Sequence, residues 1–127
     1  MSSNKTVRTR EQLRAERANQ LVSALKADVV RDYAVEVRAF PSVVHQGGLA
    51  PALANLKAKG GVAKNALYDH ISAWVSEVCF EEPKGDALSL IVAGRAVLLL
   101  RAQEEALQMC SWLKRFAEAR ESKARKV

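Results

Sequence analysis

One long segment near the end of the chain has apolar residues at helical spacing, and it constrains the fold most. From Gly94 to about residue 120 the sequence contains no proline and no further glycine. Its apolar residues fall within an arc of roughly 120° on a helical projection: Leu98, Leu99, Ala102, Ala106, Met109, Cys110, Leu113, Phe116 and Ala117. A helix with one long apolar face has to be covered by other helices, so this segment predicts a helical bundle around it.

The beginning of the chain predicts two further helices. Thr9 and Gln12 form a capping box, which opens a first helix that is expected to run to about Ala27. Asp28 is the predicted cap of the second helix. The apolar stripe of that helix consists of Val30, Tyr33, Val37, Phe40 and Val44. An apolar stripe of this spacing is typical of a helix that buries one face.

Proline and glycine mark where the next helices should start and stop. Pro41 lies inside the second stripe and should kink or restart that helix, which Gly47-Gly48 should end. A third helix is predicted over 51–59 and is expected to end at Gly60-Gly61. A fourth helix is predicted over about residues 62–80.

The remaining sequence completes the predicted architecture. EEPKGD is the clearest loop, and Asp86 at its end should cap a short helix that ends near residue 93. Together with the long last helix, these elements predict an all-α fold: a small single-domain bundle of about five or six helices over residues 1–127. About residues 1–8 and 120–127 are expected to be frayed basic tails.

Positive charge is concentrated at the two ends of the chain and in one internal cluster. The formal net charge is +6 at pH 7, which favours an anionic partner and equally suits a solvated surface. The internal cluster surrounds the second double glycine and has no acidic residue within it. The candidates for phosphate contacts are Lys57, Lys59, Lys64, Arg14, Arg17, Lys114 and Arg115.

The position of two of these arginines leaves an alternative open. Arg14 and Arg17 lie on the face of the first helix that continues into Ala18, Leu21 and Leu25. Either their stems lie along the edge of the core, or the first turns of the helix project beyond the bundle.

The last helix carries a second apolar line and an aromatic residue at its border. Leu100 and Leu107 lie away from the main apolar arc, so they predict a second packing partner, inside the fold or in another chain. Trp112 is interpreted as an edge residue of the bundle, with a role in subunit contact as the alternative. Lys114 and Arg115 should face outward, where they complement the helix dipole or contact phosphate.

Residue types that enzymes and metal sites use are not grouped in this sequence. His45 and His70 lack ligand spacing, and Cys79 and Cys110 fall on apolar helical faces. The sequence has no nucleophile elbow and no phosphate-binding loop. We therefore expect no catalytic residues, no metal, no other cofactor and no small-molecule substrate. Two distant cysteines and a start without an apolar run predict a cytoplasmic protein with no membrane segment.

Three segments in fixed order resemble the small subunit of the type III-B, Cmr-type CRISPR effector complex. They are RAFPSVVHQGGLAPALANLKAKG (38–60), LYDHISAWV (67–75) and EEALQMCSWLKRFAEA (104–119). The most specific part is Glu105-Ala106-Leu107 leading into Trp112-Leu113-Lys114-Arg115-Phe116-Ala117. The chain departs from the family pattern where it lacks a large aromatic residue after Gly48-Leu49, and where it reads LLLR before the glutamates.

The resemblance implies a non-catalytic, all-helical subunit of an RNA-guided antiviral ribonucleoprotein. Several copies of such a subunit line up beside the backbone subunits, along the duplex of guide RNA and target RNA, and other subunits carry out cleavage. The implied partners are the backbone and large subunits, further copies of the chain, and both RNAs through phosphate contacts.

Two other functions are weighed against this one. A generic helical adaptor that binds another protein through Leu100 and Leu107 is the main alternative. A helix-turn-helix regulator would need a polar recognition helix after a short turn. The fourth helix is the only candidate for it, and core contacts occupy that helix.

Overall fold

Six α-helices make up the fold in the computed structural model, which describes residues 7–80 and 87–125. They are α1 (Arg10–Ser23), α2 (Val30–Gly47), α3 (Leu49–Lys59), α4 (Val62–Cys79), α5 (Ala87–Ala93) and α6 (Ala96–Arg125). These residues contain no strand, so the predicted all-α bundle is confirmed. The predicted loop at 81–86 with its cap at Asp86, and residues 1–6 and 126–127 of the predicted tails, lie outside the described residues.

α1 begins at the predicted capping box but ends earlier than predicted. The Thr9 hydroxyl accepts the backbone N–H of Gln12 at 3.0 Å, and the Gln12 side chain accepts the backbone N–H of Thr9 at 2.9 Å. The helix ends at Ser23 instead of near Ala27. The reason is a long-range contact. The Arg120 guanidinium of α6 donates to the carbonyl oxygens of Val22 and Leu25, which in a longer helix would accept backbone N–H groups of that helix.

α2 follows the predicted apolar stripe and runs unbroken through its proline, so Pro41 does not restart the helix. The predicted cap at Asp28 is wrong, because the helix begins one residue later, where the Val29 carbonyl accepts the N–H of Tyr33 at 2.9 Å. The stripe residues are all buried: Val30, Tyr33, Val37, Phe40 and Val44.

Glycines at positive φ make the two tight connections that flank α3. Gly48 has φ +95°, and Leu49 follows it directly as the first residue of α3. The helix therefore begins two residues before the predicted start at Pro51. The Leu49 N–H has a hydrogen-bond partner on another helix, because it donates to Gln103 Oε1 of α6 at 3.0 Å. Gly60-Gly61, with φ +64° and +99°, separate α3 from α4 as predicted.

α6 is the central element and packs against α1, α2 and α4. It continues past the predicted end near residue 120 to Arg125. No helix in the described ranges is long and apolar enough to cross a membrane. The predicted arc is buried at Ala102, Ala106, Met109, Cys110, Leu113 and Ala117, and half-buried at Leu98, Leu99 and Phe116.

Candidate nucleic-acid interface

The three lysines of the internal basic cluster surround the α3–α4 turn, but their environments differ. Lys64 Nζ lies 2.6 Å from a carboxylate oxygen of Glu36 on α2, so the prediction of a cluster without a nearby acid is wrong. The acid belongs to another helix, which sequence spacing does not reveal. Lys57 Nζ lies 5.5 Å from the ring centroid of Tyr68. Lys59 is exposed and makes no ion pair with any described residue.

Arg14 and Arg17 turn toward the bundle, which decides between the two alternatives for the first helix. The Arg14 guanidinium donates to both carboxylate oxygens of Glu105, at 3.1 and 2.9 Å. Arg17 donates to the carboxylate of Glu77 on α4 at 2.8 Å, and its guanidinium lies 5.4 Å from the ring centroid of Trp74. Their stems lie along the edge of the core, and their charges are already paired within the fold.

Glu105 on α6 is the only charged residue that is buried in the described part of the chain. Besides Arg14, its carboxylate accepts the indole N–H of Trp74 at 3.0 Å and an Arg10 N–H at 3.1 Å. We call Glu105, Arg10, Arg14 and Trp74 the Glu105 hub. Burial alone would raise the pKa of Glu105, but the hydrogen bonds from Arg14 and Trp74 and the two positive charges outweigh it and lower the pKa. The hub therefore joins α1, α4 and α6 through an ionised carboxylate.

Glu105 was not among the predicted site residues, although the sequence contains a signal for it. It directly precedes Ala106, which lies on the buried arc of α6, and Arg14 lies on the apolar face of α1. Opposite charges on the apolar faces of two helices predict an ion pair between them, because a buried charge needs a partner. The neighbouring Glu104 is exposed, so the two glutamates do not act as a pair.

Lys114 and Arg115 lie on the outer surface of α6, as predicted, and Arg115 lies over an aromatic ring. Both basic side chains are exposed and make no ion pair with the residues that the structure describes. Trp112 is half-buried at the edge of the core and stacks on Phe116, with ring centroids 6.0 Å apart and planes 25° apart. The Arg115 guanidinium lies 4.9 Å from the Trp112 ring centroid. We call Phe116, Trp112 and Arg115 the stacked row.

The two leucines of the predicted second apolar line have different environments. Leu107 is partly buried and packs against the core, whereas Leu100 is 65% exposed. Val92 and Val97 flank the junction of α5 and α6 and are 72% and 66% exposed. Leu107 therefore has its packing partners within the fold. An exposed apolar surface remains at Val92, Val97 and Leu100, which we call the α5–α6 corner.

His70 and the two cysteines act as packing groups, whereas His45 is exposed. The residues that the structure describes contain no cluster of His, Cys, Asp and Glu that could hold a metal ion. Cys79 and Cys110 are free and buried, and burial raises the pKa of Cys110 to about 12. The Tyr33 hydroxyl lies 2.7 Å from His70 Nδ1. Burial lowers the pKa of His70 and raises that of Tyr33, so both groups are neutral near pH 7.

The geometry defines a class: small all-helical bundles with an apolar core that present unpaired basic side chains and some exposed apolar ones on the described surface. Residues 10–120 match the family model described as CRISPR-associated protein (Cas_Cmr5). The chain therefore belongs to the Cmr5 family, which confirms the resemblance to the small subunit of the type III-B, Cmr-type complex.

Two relatives show how far the likeness extends. "CRISPR system Cmr subunit Cmr5" from Thermotoga maritima is 32% identical over 104 residues, which cover 82% of this chain and 78% of the relative. A crystal structure of a CRISPR-associated Cmr5 family protein from Thermus thermophilus matches with a TM-score of 0.69 at 26% identity. That match covers 89% of this chain and 97% of the other. The likeness thus extends over most of each chain, in sequence and in fold.

Proposed function

We propose that the chain is a non-catalytic small subunit of a type III-B, Cmr-type CRISPR ribonucleoprotein in antiviral defence. It assembles with the backbone and large subunits and with further copies of itself, and it packs along the duplex of guide RNA and target RNA. Other subunits then cleave the target. Membership of the Cmr5 family supports assembly into a Cmr complex. Burial raises the pKa of both Cys79 and Cys110, which supports the non-catalytic role because the thiols stay protonated.

The observation that carries the RNA-binding part is the division of the basic candidates into paired and unpaired side chains. The ones with ion pairs inside the fold are Arg14, Arg17 and Lys64. The exposed ones without an ion pair among the described residues are Lys59, Lys114 and Arg115. An unpaired cation can neutralise an RNA phosphate without first breaking a contact of the fold, so the second set supplies the main phosphate contacts.

The α5–α6 corner is the proposed contact with another protein subunit. Its three side chains are apolar and each is about two-thirds exposed or more. Val97 and Leu100, three positions apart on α6, are neighbours on its surface, and exposed apolar neighbours suit a protein–protein contact. The same corner favours the second candidate function, a helical adaptor that binds a protein partner without RNA. The unpaired basic side chains favour the ribonucleoprotein over the adaptor.

The proposed partners are macromolecules, and the proposed location is the cytoplasm. Cys79 and Cys110 are both free, which suits a reducing compartment. The proposed function requires no cofactor and no small-molecule substrate.

Purification of the tagged chain from its host, under conditions that keep ribonucleoproteins intact, tests the assignment. We expect the chain to co-elute with larger proteins and with guide RNA. Co-elution with a protein partner but no RNA would support the adaptor. A monomer that carries neither RNA nor protein would contradict both functions.

A second measurement tests the phosphate contacts within the assembled complex. A variant with Lys59→Ala, Lys114→Ala and Arg115→Ala should bind every target RNA more weakly. Its slope of log K against log salt should be shallower by up to about 2, since each lost contact on single-stranded RNA removes about 0.7. A control with Lys26→Ala and Arg31→Ala, which removes exposed charge elsewhere, should keep the wild-type slope. An unchanged slope in the triple variant would place the RNA on another surface.

A further inference from the structure

The stacked row on α6 places an exposed planar cation over the ring of Trp112, which itself stacks on Phe116. We propose that the Arg115 guanidinium, held against Trp112, is a stacking site for one unpaired base of bound RNA. This inference rests on the proposed function, because it requires that RNA reaches this part of α6. It goes further in assigning contact with a base, where phosphate contacts alone were proposed.

The spacing of the three residues makes the row a continuous feature of one helix face. Positions three and four apart are neighbours on a helix, and Phe116 and Arg115 stand in that relation to Trp112. The Phe116 and Trp112 rings are 6.0 Å apart and inclined by 25°, and the Arg115 guanidinium lies 4.9 Å from the indole centroid. Trp112 and Phe116 both pack against the core, so the two rings are anchored in the fold while Arg115 is exposed.

Neighbouring acidic groups leave Arg115 available for this role. Glu118 and Glu121, on the next turn of α6, both face Arg38 of α2, at 3.2 and 3.6 Å. Arg115 makes no ion pair with them or with any other residue in the described ranges. The contact with the Trp112 ring is the one that the described residues give its guanidinium, and the side chain is otherwise exposed.

A guanidinium plane held in this way suits a nucleobase better than a phosphate alone. Unstacked RNA bases bind to aromatic rings or to guanidinium planes, and every base has a face that can stack. Because Arg115 is already ordered on Trp112, binding a base requires little further loss of side-chain freedom. Lys114, exposed and adjacent in sequence, can contact the phosphate of the same nucleotide. A lysine at position 115 would keep the charge but would lose the plane.

Binding of two RNAs to the full chain and its variants tests the proposal. One is a mixed-sequence single-stranded oligonucleotide, and the other has the same backbone but contains abasic sites. The wild type should bind the intact RNA about 5- to 150-fold more tightly, as expected for loss of one base stack. Arg115→Lys should bind both RNAs alike, at the wild-type affinity for the abasic one. Lys114→Ala should weaken binding to both RNAs equally and keep the difference between them.

Three results would overturn the base-stacking site. The first is an Arg115→Lys chain that keeps the wild-type preference for intact RNA. The second is a wild type that does not distinguish the two RNAs. The third is an Arg115→Lys chain with wild-type RNA binding that no longer co-elutes with the larger subunits, which would make the row a protein contact. The proposed function has its own test, which is co-elution of the wild type with guide RNA. Unchanged thermal melting of Arg115→Lys shows that the variant is folded.

Discussion

Trp74 donates its indole N–H to Glu105 at 3.0 Å, and the Arg17 guanidinium lies 5.4 Å from the centroid of the same indole ring. One side chain of α4 thus contacts charged groups from both α6 and α1. Arg10, Arg14 and Arg17 pair with acidic groups of α6 and α4, so these basic side chains attach α1 to the bundle.

Glu105→Gln should destabilise the protein strongly. The substitution preserves the size of the side chain but removes the charge that Arg10 and Arg14 share. Arg14 is only 14% exposed and would be left without its main partner. We expect the free energy of unfolding to fall by about 3 kcal/mol, at the lower end of the range for a buried ion pair that loses one member. Urea denaturation measures the change.

The neighbouring glutamate provides the matched control for this prediction. Glu104 is exposed, so Glu104→Gln should change the free energy of unfolding by no more than about 0.5 kcal/mol. Equal stability of the two variants would mean that the Glu105 hub does not hold α1 to the bundle.

Acidification should weaken the fold through His70. Burial lowers the pKa of His70 from its ordinary value of 6.5, against a smaller opposing effect of the Asp69 charge. Between the folded and unfolded pKa values, the unfolded chain binds more protons than the folded one. The contribution of His70 is therefore complete above pH 6.5 and is lost as the pH falls from there through the folded pKa. Urea midpoints measured at intervals from about pH 8 to about pH 5 should record this decline.

A His70→Gln variant isolates this contribution. Glutamine does not titrate, and its side-chain oxygen can still accept the O–H of Tyr33. The decline below pH 6.5 should be smaller in the variant than in the wild type. Parallel curves for the two proteins would show that other groups cause the acid sensitivity.

Alanine at two adjacent glycines should have opposite effects. Gly48 has φ +95°, a conformation that alanine reaches only with strain of about 1–3 kcal/mol, so Gly48→Ala should lower stability by that amount. Gly47 is helical, and a Cβ there would meet Pro51 Cβ at an ordinary 3.9 Å. Gly47→Ala should therefore stabilise the protein by about 0.4–1 kcal/mol. Thermal melting separates the two, and a loss of similar size in both variants would argue against the backbone explanation.

The two leucines of α6 should respond differently to a charge. Leu100 is 65% exposed, so Leu100→Glu should melt like the wild type and lose co-elution with its protein partners. Leu107 packs against the core, and Leu107→Glu should lower stability by about 2 kcal/mol or more because it buries a charge without a partner. If Leu100→Glu assembles normally, the α5–α6 corner is an ordinary solvated surface.

Helical periodicity predicted the buried faces because each helix repeats its own pattern locally. The stripe from Val30 to Val44 and the arc of α6 were both correct. Glycines at positive φ were also predictable, since Gly48 and Gly60-Gly61 interrupt clear helical patterns. These features depend only on residues that are close together in sequence.

Contacts between distant residues account for what the sequence did not predict. Gln103 satisfies the Leu49 N–H and moves the start of α3, and Arg120 takes carbonyl groups at the end of α1. Glu36 pairs with Lys64 and changes the charge of the predicted basic cluster. Each contact joins residues that local patterns treat as independent, so it becomes visible only after the helices are packed together.

The attachment of α1 to α6 fixes the order in which a newly made chain can finish folding. Glu105 holds Arg14, and Arg120 holds the carbonyl groups of Val22 and Leu25, so both ends of the first helix are anchored by the last one. During synthesis, α1 leaves the ribosome before α6 and lacks these anchoring contacts until α6 follows. Pairing across most of the chain length is slow because the intervening segment must be closed into a loop. The bundle therefore completes its core only once α6 has been released.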